Sequence, residues 1–245
     1  MIRLFQGIVF LFLLTLDLNI NAETIFYPKN CWGKDETCAV QNDSKRPVTL
    51  QLNGMQVHMD SQAIMKTDAK GEADLARGTL FAKHSEDFTW HTPFGQVICH
   101  ACQVLLHRDE KSLEVNAIKG RVTIVRKGDG SSYELPAGFS VQLSAVMKDG
   151  TANLDFPQAA PLVLVGKAWA RVYNGDTQDF KKEFGDYVKT WDQIADLSSQ
   201  MQKEEAERRI ASDEAEKAHA EKLRQDRLRE QERIRQLFRE KNYLQ

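Results

Sequence analysis

Between Arg46 and Ala145 the chain repeats one pattern: short runs in which alternate residues are apolar, punctuated by glycine. Val48, Leu50 and Leu52 alternate with Thr49 and Gln51, and after Asn53–Gly54 the alternation resumes with Met55, Val57 and Met59. Side chains on a strand repeat every two residues, and an Asn–Gly pair between two such runs marks a tight hairpin because both loop residues must take φ > 0. Further strands are predicted over 73–76, 80–83, 88–90, 96–106, 113–118, 121–125, 132–135 and 139–143, with Gly71, Gly78, Gly95, Gly120, Gly128, Gly130 and Gly138 as punctuation. Short strands at this spacing predict a β domain of the sandwich, barrel or solenoid kind.

One run breaks the alternation in an informative way. Val97 and Cys99 share one parity, whereas Cys102, Val104 and Leu106 share the other. A strand keeps its inward face across such a change only if it bulges or bends, here at His100–Ala101. The bend would bring Cys99 and Cys102 inward and close together.

After residue 150 the pattern changes. Pro157 and Pro161 frame a loop, and 162–165 and 168–172 read as a last strand pair or a segment docked on the domain. From Asp179 the period becomes helical, with Asp176 or Thr177 as N-cap and Phe180, Phe184, Val188, Trp191, Ile194, Leu197 and Met201 as an apolar stripe. Gly185 is expected to weaken that helix by about 1 kcal/mol relative to alanine. Beyond Lys203 the stripe fades into a charged run without Gly or Pro, in which acids precede bases by three or four residues, as in Glu204–Arg208, Glu205–Arg209, Asp213–Lys217 and Glu230–Arg233. Each such pair adds about 0.2–0.5 kcal/mol to a helix. Ile210, Leu223, Leu228, Ile234, Leu237 and Phe238 do not hold a heptad, so a solvated helix is favoured over a sustained coiled coil. Unbroken from Asp179 to Lys241, it would reach roughly 90 Å.

The first residues read as an export signal. Arg3 precedes the apolar run Ile8 to Leu16, which is well short of a bilayer span, and Asn19, Asn21 and Ala22 form a small, polar exit. Cleavage is expected after Ala22, with an uncleaved N-terminal anchor as the alternative. No lipid-anchoring pattern precedes Cys31, and the mature chain is expected to be soluble. All four cysteines, Cys31, Cys38, Cys99 and Cys102, lie beyond the signal, and in an oxidising compartment an even count favours disulfides. Local pairs, Cys31–Cys38 and Cys99–Cys102, are preferred among the three connectivities. The formal net charge of −2 gives no reason to expect nucleic acid as a partner.

The middle of the chain resembles the FecR-like domain. The resemblance rests on Gly71 to Ala82, on His91 to Val97 with its Thr92-Pro93-x-Gly95 turn, on Leu113 to Val125 around Gly120, and on Glu134 to Leu143 around Gly138. It implies a mainly β fold, a short β-solenoid or sandwich-like domain, acting as an interaction module without a reaction of its own. Where the family usually has Gly-Thr at the bend, this chain has Ala101–Cys102. The family's regulators also carry a cytoplasmic anti-sigma segment and a membrane anchor before the domain; here a signal peptide stands in their place, which argues against direct sigma-factor regulation.

The organisation expected is therefore a signal peptide over 1–22, an N-terminal segment with a cysteine pair over 23–45, a FecR-like β domain over 46–175 and a long charged helix over 176–245. Cys99-His100-Ala101-Cys102 is the one motif with redox potential, but apolar strand surroundings raise a thiol pKa and favour a structural pair. A haem link would need histidine after Cys102, where Gln103 stands, and zinc binding by His91, His100 or His107 lacks a fixed geometry. Trp90 and Phe94 flank the Thr-Pro turn and are candidates for an interaction surface, with core packing as the competing reading. No catalytic, cofactor or metal residue is assigned. The expectation is a non-catalytic periplasmic or secreted protein that meets an envelope protein or cell-wall component, with its helix as a spacer or as an assembly arm for self-association. A thiol–disulfide protein acting through Cys99 and Cys102, or a membrane-anchored signalling regulator, is the alternative.

Overall fold

A computed structural model of the chain describes residues 24–27, 37–52, 54–68, 72–146, 148–173 and 177–242. In it the alternating runs pair into a 13-stranded sheet followed by two helices, a mainly β fold with a long C-terminal helix. The strands are β1 (Thr24–Tyr27), β2 (Cys38–Asn42), β3 (Val48–Leu52), β4 (Met55–Met59), β5 (Ile64–Thr67) and β6 (Ala73–His84). They continue as β7 (Phe88–Thr92), β8 (Gly95–Arg108), β9 (Ser112–Arg126), β10 (Ser132–Leu135), β11 (Phe139–Val146), β12 (Ala152–Leu154) and β13 (Gln158–Ala159). Helix α1 spans Leu162–Val172 and α2 spans Thr177–Asn242. Residues 1–22, expected as a signal peptide, and Cys31, Asn53, Gly71 and the expected Asp176 cap lie outside the described residues.

The long strands β6, β8 and β9 each change parity part-way. In β6 the residues buried on the inner face are Ala73 and Leu75, then Leu80 and Ala82; in β9 they are Leu113, Val115 and Ala117, then Val122 and Ile124. The expected switch in β8, from Val97 and Cys99 to Cys102, Val104 and Leu106, is present too. At each switch one residue has positive φ: Gly78 (96°), Ala101 (45°) and Gly120 (79°). Gly78 and Gly120 are thus bends inside continuous strands rather than the turns the sequence suggested.

These bends divide the ladder into two half-sheets that share β6, β8 and β9. One half carries β1, β2, β5, β7 and β10; the other carries β3, β4 and β11. Because parity flips at the bends, both halves keep apolar residues on the inner face, and Val57, Met59, Trp90 and Phe139 complete that core. The sheet also takes in β1 and β2, so the segment set apart in sequence over 23–45 contributes strands to the same ladder.

The second half-sheet is buried on its other face as well. His58, Thr79, Phe81, Leu105 and Asn116 have the outward parity yet are buried. Helix α1 and the first turns of α2 cover them: Phe81 lies 5.8 Å from the Phe184 ring and His58 lies 5.1 Å from Tyr173. Residues 162–172 are therefore a helix docked on the domain, the second of the two readings the sequence offered, and not a last strand pair. Val165, Trp169 and Val172 are its buried residues, an i, i+4, i+7 stripe, and its first turn rests on the Pro161 carbonyl. Helix α2 runs through Gly185 without a break. Residues 192–245 form a second compact unit. Its helix is lined with ion pairs, including Arg209–Glu205 at 2.9 Å and Arg233–Glu230 at 3.0 Å. Among the described residues no helix is long and apolar enough to cross a membrane.

One buried core group makes the fold sensitive to acid. His84 Nε2 accepts a hydrogen bond from Trp90 Nε1 at 3.2 Å, and the His84 ring stacks on Phe88 at 4.5 Å. A protonated ring could not accept that bond, and burial pushes the His84 pKa down from its ordinary 6.5 to about 4. Between those values the unfolded chain takes up a proton that the folded chain excludes, so stability falls as pH falls from 6.5 towards 4, by about 3 kcal/mol in all. Asp60, raised by desolvation, acts with the opposite sign because its folded form binds the proton first. Urea unfolding of wild type and His84→Gln at a series of pH values isolates the histidine. The variant is expected to lose the acid slope in that window; equal slopes would show that His84 is not the group responsible.

Candidate functional site

The corner of β8 was the sequence's sharpest chemical candidate. Cys99 and Cys102 are joined in a disulfide with Cα atoms 5.4 Å apart, and both are buried. The bond spans His100 and Ala101 and so closes over the residue with φ 45°. Gly120 of β9 meets the corner from the neighbouring strand: a Cβ there would lie 2.6 Å from the Ala101 carbonyl oxygen and 2.8 Å from Cys102 Cα. The half-buried His100 ring reaches outward to Asp87 through Nδ1 at 3.1 Å. Thiol exchange requires an attacking thiolate to reach a sulfur in line, and the apolar strand interior closes this bond to such an approach. Cys38 is also buried and disulfide-bonded. Its expected partner Cys31 lies outside the described residues.

Trp90 and Phe94 do not form a surface. Trp90 is 0% exposed and Phe94 is 6% exposed. Trp90 pairs with Val97 in the β7–β8 ladder and points to the inner face, where its indole packs against His84 and Phe88. The Thr-Pro turn is closed by Thr92 Oγ1, which donates to the Gly95 carbonyl at 2.9 Å and accepts from Phe94 N–H at 3.2 Å. That closure folds the Phe94 ring inward.

The three histidines considered for zinc are separated and each has another partner. His91 pairs with Glu72 at 2.7 Å, His100 with Asp87, and His107 Nδ1 with Thr79 Oγ1 at 2.9 Å. Among the described residues no group of three His, Cys, Asp or Glu side chains is placed to hold a metal ion.

The sequence reading missed a recess of about 250 Å³ between α1 and the outer face of the second half-sheet. Its floor comes from adjacent ladder positions: Thr79 opposite His107, His107 opposite Glu114, and Leu105 opposite Asn116. Its roof is α1, which supplies Leu164, Val165 and Ala168 together with Lys167 and Arg171 one turn apart. Asn116 is 2% exposed, and its Nδ2 donates to Glu114 Oε1 at 3.0 Å. A carboxylate only accepts, so this bond fixes the amide with Oδ1 turned away from Glu114. That Oδ1 is buried with no hydrogen-bond partner among the described residues. The polar residues at outward parity could have flagged this face, but the cations become neighbours only once 162–172 is recognised as helix.

No protein-family model and no curated protein matches the chain. Among solved structures it is similar to two crystal structures of candidate anti-sigma factors from Parabacteroides distasonis. The first has 12% sequence identity and a TM-score of 0.41, covering 57% of this chain and 76% of that one. The second has 15% identity and a TM-score of 0.37, covering 54% of this chain and 71% of the other.

Proposed function

We propose that this chain is an exported, non-catalytic envelope protein whose β domain is an interaction module and whose C-terminal helix is a spacer and self-assembly arm. The observation that carries the reading is the state of α2 beyond Lys203. Ile210, Leu223, Leu228, Ile234, Leu237 and Phe238 stand 43–66% exposed among charged residues. Local ion pairs and helix propensity hold such a helix together without a core of its own. Ile234, Leu237 and Phe238 fall at i, i+3 and i+4, and Leu223 lies eleven residues before Ile234 on nearly the same face, so the helix end offers a short apolar contact. Support for export comes from the hydrophobic leader and from the disulfides, which persist in oxidising compartments.

Light scattering coupled to size exclusion, with chemical cross-linking, tests the arm on the full-length protein and on Ile234→Gln/Leu237→Gln/Phe238→Gln. The wild type is expected to exceed the mass of one chain and the variant to fall to it. Equal masses and identical cross-linked envelope neighbours for both proteins would remove the arm's role. Sequencing the N-terminus of protein recovered from the envelope tests export: a start at Glu23 supports it, and an intact Met1 favours the membrane-anchored regulator.

A further inference from the structure

We infer that the recess beneath α1 is a binding site for a small zwitterion, a neutral free α-amino acid. Three features set the class. Volume comes first: about 250 Å³ lies just below the range of roughly 300–1,000 Å³ typical of drug-sized ligands, which restricts the occupant to a small molecule.

Charge comes second, because the recess is bipolar. Its floor carries the Glu114 carboxylate, and its roof carries Lys167 and Arg171. A ligand with an ammonium and a carboxylate on one carbon matches both poles; a simple anion or a simple cation would meet a like charge at one of them. Leu105, Val165, Leu164 and Ala168 also line the recess, which suits a small apolar side chain.

The third feature is Asn116. A buried acceptor without a donor costs about 1–3 kcal/mol, and the bond from Nδ2 to Glu114 prevents the amide from turning to remove the deficit. The residue lines the recess beside Glu114, so an ammonium drawn to that carboxylate brings donors to the same wall. The oxygen is shut off from solvent, so reaching it requires a small shift of the Asn116 side chain towards the incoming donor. This site belongs to the sheet and α1, and it is independent of the assembly arm.

Isothermal titration of the full-length protein with each neutral L-amino acid provides the test, with L-leucine, 4-methylpentanoate and 3-methylbutylamine as a matched set. The last two keep the leucine side chain and lack the ammonium and the carboxylate respectively. At least one neutral amino acid is expected to bind with Kd at or below about 1 mM, and loss of either pole from the ligand is expected to weaken binding by about tenfold or more. Glu114→Gln and Lys167→Gln/Arg171→Gln change side chains at the recess wall and its open rim, and both variants are expected to unfold at wild-type urea concentrations. Each should lose about tenfold in affinity for the amino acid. The inference is overturned if no neutral amino acid binds, if the deaminated or decarboxylated analogue binds as tightly as its parent, or if binding survives both sets of substitutions.

Discussion

Phe81→Ala is expected to cost the folded protein about 3–5 kcal/mol, the range for removing a large aromatic side chain from a packed interior. Phe81 is 0% exposed although its parity directs it away from the main core. Its ring is held by His58 at 5.9 Å and by Phe184 at 5.8 Å. Phe184 in turn meets Trp169 edge-on at 5.8 Å, and Trp169 stacks on Tyr173 at 4.3 Å. Phe81 is thus the point at which the second half-sheet grips α1 and the start of α2. Against a total stability of roughly 5–15 kcal/mol, the loss would leave many molecules with the helical cover detached. Urea unfolding should show a lowered midpoint, and hydrogen exchange should show faster amides in Leu162–Val172 than around Val97 and Val122. Unchanged exchange in α1 would mean that the helix is held by other contacts and that this aromatic chain is not its anchor.

How the sequence encodes that cover explains what could and could not be read from it. The Val48–Leu52 and Met55–Met59 hairpin, the strand over 132–135 and the bend in β8 all depend on neighbours in the chain, and short-range alternation exposes them. Gly78 and Gly120 were mistaken for turns because a glycine between two short alternating runs looks the same whether the chain reverses or merely bends. Only the pairing of β6 with β4, β5, β7 and β8, and of β9 with β8, β10 and β11, distinguishes the two, and that is a long-range fact. Leu80-Phe81-Ala82 and Val104-Leu105-Leu106 are buried without interruption, the mark of strands covered on both faces. Those triplets signalled that another element must lie over them. Residues 162–172 were that element, but the consecutive apolar run Leu162-Val163-Leu164-Val165 suits a buried strand as well as a helix, whereas the buried stripe Val165, Trp169 and Val172 follows the helical period. Trp90 and Phe94 beside a turn suggested a surface, yet inward strand parity at Trp90 and the Thr92 closure at Phe94 determine where they point. The recess combines both difficulties, since its floor needs strand register and its roof needs the helix.

Gly120→Ala is expected to be comparably damaging, by about 2–5 kcal/mol, although it adds a single methyl group. The residue sits at φ 79°, where an L side chain costs about 1–2 kcal/mol. The added carbon would also fall 2.6 Å from the Ala101 carbonyl oxygen and 2.8 Å from Cys102 Cα, both backbone atoms that cannot swing aside. Gly120 is itself exposed, but relieving contacts this close requires the two strands to part, and such overpacking costs about 1–3 kcal/mol more. The disulfide from Cys99 to Cys102 closes the opposing strand over this same corner, so it restricts the movement that would otherwise relieve the contact. Ala101→Gly provides a control of opposite sign. At φ 45° the alanine is the strained residue, and glycine should raise stability by about 0.5–1 kcal/mol after its extra unfolded-state entropy is counted. Urea midpoints of the two variants, measured with the disulfide intact, decide the matter. A Gly120→Ala protein as stable as wild type would mean that β8 and β9 do not meet closely at the bend. A clearly destabilised Ala101→Gly protein would mean that Ala101 does not hold the left-handed turn on which the parity change of β8 depends.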